Sequence, residues 1–108
     1  MADPTAIAEA MNRMWAKFLP DIEGRVSVLE SAAAALSQGR LTTELRQEAS
    51  SAAHKLAGVL GTFGLDKGTA LAREAESLYA QDYAGTAPNG RPAILAAQLR
   101  ALLADRNQ

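Results

Sequence analysis

The chain has 108 residues, 5% of them aromatic, no cysteine, and a formal net charge of −1. This length suits a single domain with a modest core, and the abundance of alanine with little β-branched content favours helices. The near-neutral charge gives no electrostatic footprint for nucleic acid, and the lack of cysteine excludes a disulfide framework, a thiolate nucleophile and a cysteine-type zinc site.

The beginning of the sequence predicts a helix that is separate from the rest. Asp3 followed by Pro4 is typical of a helix start, with aspartate as N-cap and proline at the first helical position. Pro20 is expected to end or sharply kink this helix, because proline lacks the N–H that a helix interior needs. The sequence therefore predicts an N-terminal helix over 3–19 and a second helix over 20–38.

Glycine and other turn-forming residues separate the elements that follow. Gly39 and Gly64 suit the left-handed position after a helix end, and Thr42 or Thr43 can cap the next helix. The turn-rich segment 82–92 is the longest expected loop. The remaining helices are predicted over 42–63, 65–81 and 92–105.

Amphipathic helices joined by short connections pack antiparallel to bury their apolar faces. The predicted fold class is therefore all-α, an antiparallel up-down four-helix bundle with an additional N-terminal helix, in one domain spanning 1–108. The first residues lack a basic leader, and no run approaches the roughly 20 apolar residues of a membrane span. We expect a cytoplasmic monomer that binds neither membrane nor nucleic acid.

The helix over 42–63 carries the only histidine, His54, on the side opposite its apolar stripe. At about 100° per residue, His54 lies roughly 180° from Leu45, so the imidazole should face water. Glycines inside a helix cost about 0.5–1 kcal/mol each and bury nothing on an outer face. Glycines on this face therefore predict that another molecule approaches the backbone near the imidazole. The outer face around His54 carries Gln47, Ser50, Ser51, Gly58 and Gly61.

A lone exposed histidine limits the chemistry. A hydrolytic triad needs a serine or cysteine beside the histidine, and a zinc site needs three or four convergent ligands. An exposed neutral imidazole nitrogen is, however, a competent nucleophile toward an activated phosphoryl group.

The run from His54 to Gly64, HKLAGVLGTFG, followed by 71–78, resembles the signature of the histidine phosphotransfer (HPt) domains of bacterial two-component phosphorelays. The resemblance covers the chain from about Leu19 to Leu78. It implies a phosphoryl carrier without kinase activity of its own, in which His54 accepts the group from a receiver-domain aspartyl phosphate and relays it to another receiver. The implied partners are a response-regulator receiver domain and a hybrid sensor kinase. No cofactor is expected on this chain, and Mg²⁺ would be held by the receiver.

The chain departs from the family pattern three positions after the histidine, where many members have lysine and this sequence has Ala57. Lys55 or Lys67 is a candidate substitute for that charge. The residues expected to contact the partner or the phosphoryl group are Gln47, Ser50, Ser51, Lys55, Ala57, Gly58, Gly61 and Lys67, around His54 as phosphoacceptor.

Two other function classes stay open. A non-phosphorylated helical interaction module would bind receivers or other partners without transfer, and Ala57 is the feature that favours it. A small helical enzyme or metal protein is disfavoured, because the sequence places no second catalytic group beside His54. The charged run 73–76 is interpreted as a solvated face.

Overall fold

The computed structural model describes residues 3–80 and 90–107 and contains four α-helices and no strand in these ranges. Most of the predicted loop over 82–92 lies outside them. The helices predicted over 42–63 and 92–105 differ from the observed bounds by one residue at each end, and the helix predicted over 65–81 begins one residue later than predicted, with its predicted end outside the described residues. The helices are α1 (Pro4–Ser37), α2 (Thr43–Thr62), α3 (Asp66–Ala80) and α4 (Arg91–Arg106).

The prediction of a separate N-terminal helix is wrong, because α1 continues through Pro20 for 34 residues. Proline removes one backbone hydrogen bond, leaving the carbonyl of Ala16 without its helical donor. Both residues are exposed, so water can reach that carbonyl. Trp15 and Ile22 are buried on either side of the proline and hold both halves of α1 against one core.

The helix ends follow the local sequence signals. The carboxylate of Asp3 accepts the N–H of Thr5 at 3.0 Å, and the hydroxyl of Thr42 accepts the N–H of Leu45 at 3.1 Å. Both are side-chain caps that satisfy orphan N–H groups of a first turn. Gly39 and Gly64 follow α1 and α2 at φ angles of 69° and 73°, the left-handed region that glycine enters without strain.

The four helices pack around a shared core made largely of alanine and leucine. Neighbouring pairs in contact are α1 with α2, α2 with α3, α3 with α4, and α4 with α1. Small side chains let α3 approach closely: a Cβ on Gly68 would lie 2.9 Å from Leu60 Cδ1. The largest fully buried side chains are Ile22, Val26, Leu29, Leu56, Leu60, Leu95 and Leu99. The all-α antiparallel bundle predicted from the sequence is thus confirmed.

One end of the bundle is closed by an aromatic pair. The rings of Trp15 and Phe63 meet edge to face at a centroid distance of 5.2 Å, and Trp15 Nε1 donates to Asn107 Oδ1 at 2.7 Å. The first turns of α1 run beyond this closure and leave Ile7 and Met14 exposed. No helix in the described part of the chain combines the length and apolar character needed to cross a bilayer.

Candidate functional site

The side chain of His54 is 74% exposed, midway along α2 on the face turned away from the core. The neighbouring residues Ala53 and Leu56 are both fully buried, and they fix the rotation of α2 about its axis. An α-helix that buries this face must turn position 54 outward. The imidazole is therefore presented to solvent by the packing of the helix that carries it.

A carboxylate from α3 contacts the imidazole. Glu76 Oε2 lies 2.9 Å from His54 Nδ1, and the Glu76 side chain is 34% exposed. An ionised carboxylate can only accept, so in the neutral ring the proton of this hydrogen bond belongs to Nδ1. The lone pair then lies on Nε2, away from Glu76. The sequence placed no second catalytic group beside His54, whereas the structure puts the Glu76 carboxylate there, so Glu76 is not simply part of a solvated face.

A polar groove of about 480 Å³ lies between α2 and α3 on the N-terminal side of His54. It is shaped chiefly by α2 residues one and two turns before the histidine. Arg46, half-buried, is anchored across the groove, where its Nη1 donates to the Tyr79 carbonyl at 2.7 Å. The groove is lined by Arg46, Gln47, Ser50, Ser51, His54, Glu76 and Ala80.

Tyr79 anchors this end of α3 in the core. Its ring is buried, and burial raises the pKa of the Tyr79 phenol to about 12. The phenol therefore stays neutral at physiological pH, and the Tyr79 backbone carbonyl accepts the hydrogen bond from Arg46. Tyr79 thus holds the Arg46 guanidinium through its backbone carbonyl without adding charge to the groove.

The C-terminal side of His54 has a different surface. Gly58 is exposed, and a Cβ there would meet no atom of the described residues within 4 Å. Gly61 is exposed too, but a Cβ there would lie 3.3 Å from Thr69 Oγ1 on α3. That hydroxyl donates to the Ala57 carbonyl at 2.9 Å and ties α3 to α2. Gly58 therefore leaves open backbone, whereas Gly61 also makes room for α3.

The structure brings some of the predicted contact residues together and separates others. Gln47, Ser50 and Ser51 line the groove with His54. Lys55 is exposed but lies outside the groove. Lys67 lies in the first turn of α3, nine residues and about 13 Å along that helix before Glu76, and is not part of the groove either.

Ala57, predicted to contact the phosphoryl group or a partner, is only 7% exposed and so offers little surface for such a contact. Position 57 lies about 60° around α2 from His54, on the side toward α3. Its methyl packs in the core between the two helices. A short side chain at this position cannot reach the outer surface.

Sequence reasoning missed Glu76 and Arg46, although both left a signal. α2 and α3 form an antiparallel hairpin that turns at Gly64, so residues about equally distant from the turn face each other. His54 precedes the turn by ten residues and Glu76 follows it by twelve, which makes Glu76 a candidate partner. Arg46 lies two turns before His54 and about 80° around the helix, on the side that faces α3.

Comparison with known proteins identifies the family. A family model described as the Hpt domain matches residues 13–107. The chain belongs to the Hpt domain family. The resemblance seen in the residues around His54 is thereby confirmed, and membership implies a phosphotransfer role in two-component phosphorelays.

One curated relative is Protein RcaC of Microchaete diplosiphon, which is 35% identical over 66 residues. The match covers 61% of this chain but only 10% of the relative, so the chain spans a small part of that protein's length. No solved structure matches the chain. Hpt domains are phosphotransfer carriers rather than kinases, and they interact with receiver domains and kinases.

Proposed function

We propose that this Hpt domain carries a phosphoryl group on Nε2 of His54, accepting it from the aspartyl phosphate of one receiver domain and passing it to another. The observation that carries the proposal is the hydrogen bond of 2.9 Å between His54 Nδ1 and Glu76 Oε2, formed while the His54 side chain remains 74% exposed. The bond fixes which nitrogen is free, and the exposure lets a partner reach it.

Glu76 selects the nucleophile. With the proton held on Nδ1 by the carboxylate, Nε2 carries the lone pair and needs no base to deprotonate it before attack. The hydrogen bond also restricts rotation of the ring, so that Nε2 is presented in one direction. Orientation of this kind is a main source of rate in phosphoryl transfer, where the protein does little covalent chemistry.

The transfer step is a direct displacement at phosphorus. A bond forms from His54 Nε2 to phosphorus while the bond from phosphorus to the aspartyl oxygen breaks, and the aspartate leaves as a carboxylate. The phosphorylated ring keeps its proton on Nδ1 and becomes cationic. The Glu76 carboxylate, 2.9 Å away, offsets that positive charge as it develops. Relay to the next receiver reverses the same bond changes.

The receiver supplies the remaining parts. In this proposal its active site brings Mg²⁺, which neutralises the transferring group, and the present chain contributes the nucleophile, its orientation and access. The open backbone at Gly58 lets the receiver approach closely beside His54. This chain acts as a carrier in this scheme, with no kinase activity of its own.

The test is phosphotransfer from a panel of receiver domains, each loaded with phosphate in the presence of Mg²⁺. The native chain should acquire an acid-labile, alkali-stable phosphate, and His54→Gln should acquire none, because glutamine keeps the size and polarity of the site but has no nucleophilic nitrogen. Circular dichroism of both chains provides the folding control.

Two outcomes would contradict the proposal. Phosphate appearing on His54→Gln would place the acceptor on another residue. Binding of a receiver without transfer to the native chain would instead show an interaction module, the reading that Ala57 favoured at the level of sequence.

A further inference from the structure

We propose that Arg46 is the cation that faces the phosphoryl group carried on His54 and offsets its charge. The inference rests on the proposed function, since it concerns the same site after phosphorylation. It assigns a charge-stabilising role to a residue two helical turns away from the acceptor.

The charges in the groove favour a cation beside the phosphoryl group. A phosphoryl group on a side chain carries about −1.5 to −2 charges near neutral pH. On His54 it would enter a groove that already contains the Glu76 carboxylate, and like charges in one site repel each other. Among the described residues that line this groove, Arg46 carries the permanent positive charge.

The geometry places Arg46 on the correct side of the histidine. Side chains on an α-helix lean toward its N-terminus, so His54 extends over the turn that contains Ser50 and Ser51. The groove agrees with this direction, because the α2 residues that line it together with His54 all precede it in the chain. A phosphoryl group on Nε2 would therefore share the groove with the guanidinium.

The guanidinium of Arg46 is held in place but retains donors for a ligand. One of its five N–H groups donates to the Tyr79 carbonyl. Among residues 3–80 and 90–107, Arg46 forms no ion pair with a carboxylate, whereas Arg91 and Arg100 pair with Glu74 and Glu30. Its positive charge is thus uncompensated within the described structure, and guanidinium is the side-chain group best matched to phosphate oxygens.

The other cations near His54 are placed less favourably. Lys55 lies about 100° around α2 from His54, on the side away from Arg46 and α3. Lys67 is displaced along α3, and position 57 is a buried alanine. Arg46 is the side chain that combines positive charge, anchoring and a place in the groove.

The experiment measures the titration of the phosphoryl group itself. The native chain is phosphorylated with phosphoramidate, a small donor whose P–N bond breaks as the Nε2–P bond forms and ammonia leaves, so no receiver is needed. The pH dependence of the ³¹P resonance then gives the midpoint between monoanion and dianion. The same titration is made on Arg46→Gln, Arg46→Lys and Arg40→Gln.

A nearby cation favours the dianion and lowers the midpoint. Arg46→Gln should therefore raise the midpoint by about half a pH unit, and Arg46→Lys should restore most of the difference. Arg40→Gln makes the same change of net charge in the exposed connection before α2, outside the groove, and should leave the midpoint unchanged. A purely structural role for Arg46 would not move the midpoint.

A second measurement on the native chain avoids dependence on the folding of any variant. Phosphorylation should shift the ¹⁵N–¹H resonance of Arg46 Nε and leave that of Arg40 in place. A native midpoint equal to that of Arg46→Gln, or an unmoved Arg46 resonance, would overturn the inference while leaving His54 as acceptor. A native chain that takes no phosphate on His54 would instead contradict the proposed function itself.

Discussion

The two flanks of His54 along α2 present opposite surfaces. On the N-terminal flank, Arg46 and Ser50 line a groove with hydrogen-bonding groups against α3. On the C-terminal flank, Gly58 exposes backbone, and in the part of the chain that the structure describes no neighbour comes within 4 Å of the position that a Cβ would take. One helix therefore offers a polar, partly enclosed side and a bare side with the acceptor histidine between them.

The difference indicates a division of roles. Polar side chains can hold a small anion, whereas exposed backbone offers little to a small ligand and much to a protein surface that must come close. We interpret the N-terminal flank as the side that accommodates the phosphoryl group and the C-terminal flank as the side against which the receiver packs. The following predictions test these two roles by comparing two phosphoryl donors, a receiver domain that must dock and the small molecule phosphoramidate, which does not.

The largest effect is expected from a bulky side chain on the bare flank. Gly58→Trp should lower the rate of transfer from a phosphorylated receiver by about a hundredfold, because a displacement near 1 Å in the docked complex is enough to disrupt alignment of the reacting atoms. The reaction with phosphoramidate should retain most of its rate, since that donor does not pack against the flank. Both rates are measured on one preparation by the appearance of phosphohistidine.

Gly58→Ala is the matched variant for this comparison, because it adds a single methyl to the same position. It should lose much less transfer from the receiver than Gly58→Trp does. Equal losses with the receiver and with phosphoramidate in Gly58→Trp would contradict the assignment of this flank to the partner.

A smaller effect, common to both donors, is expected from the residue that orients the ring. Glu76→Ala removes the carboxylate that lies 2.9 Å from His54 Nδ1 and should slow phosphorylation about tenfold with either donor. Glu76→Gln keeps an acceptor for the Nδ1 proton but no charge, and should fall between Glu76→Ala and the native chain. An effect of Glu76→Ala on the receiver reaction alone would instead make Glu76 a docking residue.

The fold could be predicted from the sequence because its signals are local and periodic. The outward direction of His54 follows from apolar spacing along one helix, and Thr42 and Gly64 mark the ends of α2 by their own chemistry. Pro20 was misjudged because its local penalty of about 3 kcal/mol is outweighed by tertiary packing of Trp15 and Ile22. Helix propensity alone predicts a break at Pro20, but burial of side chains on both sides of the proline keeps α1 continuous.

The site was predicted less completely, because half of it comes from another helix. Gln47, Ser50 and Ser51 share a face with His54 and could be found on a helical wheel. Glu76 depends on the register between α2 and α3, which is fixed by the packing of residues such as Gly68 against Leu60. The burial of Ala57 could not be predicted for a related reason: only the position of α3 shows that this part of α2 is covered.

The smallest expected effect concerns stability, and it compares the two glycines of the bare flank. Gly58→Ala should raise the free energy of unfolding by about 0.5–1 kcal/mol, since the added methyl enters open space and alanine is the better helix former. Gly61→Ala should gain less, because its methyl would lie 3.3 Å from Thr69 Oγ1 and disturb the hydroxyl that donates to the Ala57 carbonyl. Urea unfolding of both variants and the native chain measures the difference.

An equal gain at both positions would mean that Thr69 adjusts freely and that Gly61 is as open as Gly58. A stabilised Gly58→Ala that also transfers more slowly from the receiver would show that glycine at this position serves the approach of the partner at the expense of helix stability.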